Sequence, residues 1–101
     1  MFTPKYIHLR KYNDLGYPKP CGGATVAYLP ANDERSLYYA SVARCRKDDR
    51  YVKAEGRRVS TDMLYTGLRY LVRVDIHSHE PVSDQIMEEL YKAGAFHFWK
   101  S

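Results

Sequence analysis

The sequence predicts an α+β fold: a mostly antiparallel sheet of about four strands in the order β-β-β-α-β-α, with the long helix packed on one face. Three observations carry this. Two apolar segments flank the polar stretch Pro30 to Arg35, the apolar period changes from two to helical after Asp48, and an alternating strand, not a second long helix, comes next. At 101 residues the chain has room for one core, so residues 1–101 form a single domain.

Tyr6 to Tyr12 reads as the first strand, because Ile7, Leu9 and Lys11 alternate with His8 and Arg10. Asn13 to Gly23 is a loop rich in Gly and Pro, with the Gly22-Gly23 pair as a turn. Ala24 to Leu29 and Ser36 to Arg46 form a hairpin. In its second strand Tyr39, Ser41, Ala43 and Cys45 share a face whose small residues leave space for a helix, which suits a sheet covered on one side.

Asp49 to Tyr65 is the long helix, with Asp48 or Asp49 as N-cap and Val52, Gly56, Val59, Met63 and Gly67 as its apolar stripe. Gly56 in that stripe predicts a close crossing with another element. Leu68 to Ile76 is the fourth strand, and Ser83 caps a short helix over Asp84 to Ala93. The aromatic tail containing Phe96, Phe98 and Trp99 is expected to cap the core or meet another subunit.

The composition, 45% hydrophobic and 28% charged, excludes intrinsic disorder. No apolar run approaches the ~20 residues of a membrane span, and MFTPKYIHLRKY lacks the apolar core of a signal peptide, so a cytoplasmic location is expected. Cys21 and Cys45 are read as free thiols. The ten tyrosines, each an apolar body with a polar tip, point to a surface contacted by a partner.

Charge is concentrated. Arg44, Arg46, Lys47, Arg50, Lys53, Arg57 and Arg58 face only Asp48, Asp49 and Glu55, a surplus equal to the net charge of +4 on the whole chain. Arginine-rich clusters match phosphate oxygens, so a small anionic nucleotide ligand is one reading, with a host protein or nucleic acid as others and a merely solvated helix face as the simplest.

No catalytic signature stands. His77 and His79 would share a strand face, similar to the D-x-H-x-H strand of barrel metallohydrolases, but the chain is too short for a barrel, and a solvated strand end is the preferred reading. Cys45 beside Arg44 and Arg46 lacks an oriented base. A non-enzyme without metal or cofactor is expected.

The segments Gly22-Gly23-Ala-Thr25-Val-Ala-Tyr28, Ala43-Arg-Cys45 and Asp49-Arg-Tyr51-Val-Lys53-Ala-Glu-Gly56-Arg57-Arg-Val59-Ser60 resemble a set of small phage and prophage proteins, over about half the chain. The nearest functional analogy within that set is the phage anti-Thoeris sponge proteins. The resemblance implies an oligomeric, non-enzymatic anti-defence protein that sequesters a cyclic ADP-ribose type signal. It also implies that Arg57 meets a phosphate, with Tyr51 and Lys53 beside it. Met63 departs from the basic residue usual before Leu64, with Arg58 or Arg69 as the compensating cation.

Overall fold

Gly22 to Tyr28 is a run of seven consecutive buried residues, the pattern of a strand covered on both faces. The computed structural model, which describes residues 2–100 with side chains through Phe98, places it at the centre of the fold. The elements are β1 (Lys5–Leu9), β2 (Cys21–Pro30), β3 (Leu37–Arg50), α1 (Lys53–Thr66), β4 (Tyr70–Arg73), α2 (Val82–Lys92) and a 3-10 turn at His97–Lys100. The four strands make one antiparallel sheet in the order β1-β2-β3-β4. The α+β class and the antiparallel sheet of four strands are as predicted. No helix among the described residues is long and apolar enough to cross a membrane.

Alternation along the strands divides the side chains between two layers. Ile7, Leu9, Val26, Tyr28, Tyr38, Ala40 and Val72 face α2, whose Ile86 and Leu90 complete the main core with Ala95 and Phe96. Tyr6, His8, Thr25, Ser41 and Ala43 face α1. The sheet is therefore covered on both sides, not on one. The tail caps the core through Phe96, while the interface role predicted for Trp99 falls on a side chain outside the described residues.

The predicted close crossing is present. A Cβ on Gly56 would stand 2.1 Å from Thr25 Oγ1, so α1 can lie this near β2 only with glycine there. Gly56, Ser60 and Leu64, spaced four apart, form the contact stripe, and Ser41 Oγ donates to the Ser60 carbonyl at 2.6 Å. Val52 and Gly67, assigned to the stripe from the sequence, are exposed.

Other boundaries differ for identifiable reasons. β3 continues through Arg50, which pairs with Cys21, while Arg46 to Asp49 bulge against Gly22 alone. Asp48 and Asp49 therefore lie in a strand and cap nothing. Val52 is the N-cap and supplies no side-chain acceptor. Gly22 and Gly23 belong to β2, both with positive φ at this bulge. Pro81, not Ser83, precedes α2. β4 ends at Arg73, and His77 lies in a turn where its N–H donates to Asp75 Oδ1 at 2.9 Å, so His77 and His79 share no strand face. Among the described residues no group of His, Cys, Asp and Glu is placed to hold a metal, and both cysteines are free.

Candidate functional site

The site is built where β1 meets the first turns of α1. Tyr6, His8 and Arg10 point from β1 toward the helix, because strand side chains alternate. Lys53, Arg57 and Thr61 lie four apart, which stacks them on one helical face. The two rows are joined at one end by the Tyr6 and Thr61 hydroxyls, 2.7 Å apart.

Tyr51, in the link between β3 and α1, anchors the middle. It is buried, and its ring packs edge-on to His8. That seat exists because position 23 is glycine: a Cβ there would fall 2.7 Å from the Tyr51 ring and 2.6 Å from the Leu9 carbonyl oxygen. The Tyr51 hydroxyl lies 2.8 Å from His8 Nδ1, 3.2 Å from Thr25 Oγ1 and 3.3 Å from the Ala24 carbonyl oxygen. With His8 neutral and its proton on Nε2, the hydroxyl donates to Nδ1. With His8 charged, Nδ1–H donates to the Tyr51 oxygen, whose proton turns to Ala24.

Burial, then the positive charges of Lys53 and Arg57, push the His8 imidazole below its ordinary pKa of 6.5. Arg10 adds a third cation. Its guanidinium sits 5.2 Å from the centre of the Tyr51 ring and its Nη2 donates to the Lys19 carbonyl at 2.7 Å, while its sealed Nε has no partner among the described residues. No acidic side chain among the described residues forms an ion pair with Arg10, Lys53 or Arg57. Lys53 and Arg57 also sit in the first turns of α1, at an end that favours anions and carries only Glu55 as an acid in its first turn. On the other flank of α1, Thr25, Tyr51, Glu55 and Gly56 help to line a groove of about 260 Å³ between α1 and β3.

Of the five residues singled out from the sequence, Arg57 and Lys53 are brought together around His8, and Tyr51 stands behind them as a buried support. Arg58 is turned to Glu55 and Asp62 on the outer face of α1. Arg69 lies past the helix end, stacked 3.9 Å from the Tyr39 ring centre and donating to the Leu64 carbonyl at 2.6 Å. His8, Arg10 and Thr25 were missed. The Tyr6-His8-Arg10 alternation placed His8 and Arg10 on one face, but nothing in the sequence said which helix covers it.

The chain matches no family model, no curated protein and no solved structure.

Proposed function

We propose that the protein is a non-enzymatic binder of a small phosphate-bearing ligand, held on the face formed by His8, Arg10, Lys53 and Arg57. The observation that carries this is the unneutralised pair Lys53 and Arg57 beside a half-buried histidine whose charged form they disfavour. Like charges gathered without a counter-ion destabilise the free protein, and an arriving phosphate relieves that repulsion. Arg57 offers a planar fork for two phosphate oxygens, and Lys53 a mobile point charge.

The specific form follows from the resemblance to phage sponge proteins: sequestration, in the host cytoplasm and by a homo-oligomer, of a nucleotide-derived signal of the cyclic ADP-ribose type. The test is a thermal-shift panel of ATP, ADP-ribose, cyclic ADP-ribose isomers, cyclic dinucleotides and short duplex DNA at two salt concentrations. One nucleotide should raise the melting temperature of the wild type and not of Arg57→Glu. A response to DNA alone, falling steeply with salt, would replace this reading with nucleic-acid binding.

A further inference from the structure

On the opposite side of the sheet, away from the cationic face, a cavity of about 640 Å³ opens beside the end of the β2–β3 hairpin. Tyr28 and Tyr38 form its floor, 9% and 7% exposed, with ring centres 6.1 Å apart. Neither hydroxyl has a hydrogen-bond partner among the described residues, and neither is sealed from solvent. A tyrosine buried to this extent ordinarily places its hydroxyl on a partner. Phe2, Pro30, Ile76 and Val82 make the walls apolar.

The rim is charged. Lys5 and Arg35 stand there against Glu34, a surplus of one positive charge. Arg35 holds a left-handed backbone, φ 59, which a residue with a side chain adopts only at a cost. The turn is braced around it: Asn32 Oδ1 accepts from the Ser36 and Leu37 N–H groups, and its Nδ2 donates to Ser36 Oγ. The result sets the Arg35 guanidinium 5.1 Å from the centre of the Phe2 ring, at the mouth of the cavity.

We propose that this cavity is a second binding site, for a small monoanion with a flat apolar body. The body lies between the aromatic floor and the aliphatic walls, a polar atom on its inner end meets the two tyrosine hydroxyls, and the anionic group meets Lys5 and Arg35. The Tyr28 hydroxyl is protonated near neutral pH and can donate, and burial and the neighbouring Tyr38 raise its pKa further above 10. Glu34 on the same rim disfavours a more highly charged group, so the ligand class differs from that of the cationic face.

The test uses the full chain and 6-hydroxy-2-naphthoate as a fluorescent probe, with 2-naphthol as the neutral control and 2-naphthyl phosphate as the dianion. Saturable binding of one probe per chain is expected, weaker for both controls. The double variant Tyr28→Phe/Tyr38→Phe should bind the probe roughly five- to tenfold more weakly, and Arg57→Glu should bind it as the wild type does. Methyl resonances of Ile76 and Val82 in the wild type give a readout independent of any variant, and both should shift on titration. The proposal is overturned by no saturable binding at millimolar probe, by equal binding of either control, by undiminished affinity in the double variant, or by shifts that avoid Ile76 and Val82.

Discussion

Gly56 of α1 rides directly on Thr25 of β2, so close that a methyl group on the helix would collide with the threonine hydroxyl. The contact fixes the height of α1 above the sheet. It thereby fixes the distance from Lys53 and Arg57 to His8.

Alanine at position 56 should destabilise the fold although alanine is the better helix former. The propensity gain is about 1 kcal/mol, against an overpacking cost of up to about 3 kcal/mol. Urea denaturation should show a net loss for Gly56→Ala, partly recovered in Gly56→Ala/Thr25→Ala, since the two sites touch and their effects are not additive. A stabilised Gly56→Ala would mean that the helix rides higher.

Stability should fall on the acid side of pH 6.5. The native His8 pKa is depressed, so the unfolded chain takes up a proton first as the pH drops below 6.5. The His8 contribution is complete above 6.5 and is lost as the pH falls through the depressed native value. Glu55, held below 4.5 chiefly by its hydrogen bond from Arg58, acts only in a lower window. Melting temperatures of wild type and His8→Gln should therefore converge as the pH falls below 6.5. Lys53→Gln/Arg57→Gln should show a shallower loss, because His8 then titrates closer to 6.5. Parallel curves for all three proteins would remove His8 from the account.

Arg69 and Arg58 should separate from Arg57 in their roles. Arg69→Ala loses a ring stack and a hydrogen bond to a helix-terminal carbonyl, a cost of about 1–2 kcal/mol, and should leave nucleotide affinity unchanged. Arg58→Ala removes only exposed ion pairs and should alter neither stability nor binding measurably. Calorimetry on the three variants checks this, and a binding loss in Arg69→Ala equal to that in Arg57→Glu would extend the site to the far end of α1.

What the sequence made legible was periodic. The polar stretch Pro30 to Arg35 between two apolar segments and the alternation in Ser36 to Arg46 mark the central strands, and Gly56 in an apolar stripe announces the close crossing. The helix start was misplaced because Asp48 and Asp49 resemble caps, whereas backbone pairing of Arg50 with Cys21 carries β3 past them. The strand reading of His77 and His79 failed for a similar reason: a local side-chain bond to Asp75 bends the chain out of the sheet. Arg57 and Lys53 were singled out within the basic cluster by the resemblance to phage sponge proteins. His8 was not, since Tyr51, Lys53 and Arg57 lie more than forty residues from it in sequence and only the packed fold joins them.

The most direct test of the cationic face is an NMR titration of the His8 ring against pH, with and without ADP-ribose at saturation. A phosphate beside His8 cancels the charges of Lys53 and Arg57, so the His8 pKa should rise toward or beyond 6.5 when the ligand is bound, and should not move in Arg57→Glu. A bound ligand that leaves the wild-type His8 pKa where it was would contradict the assignment of this face.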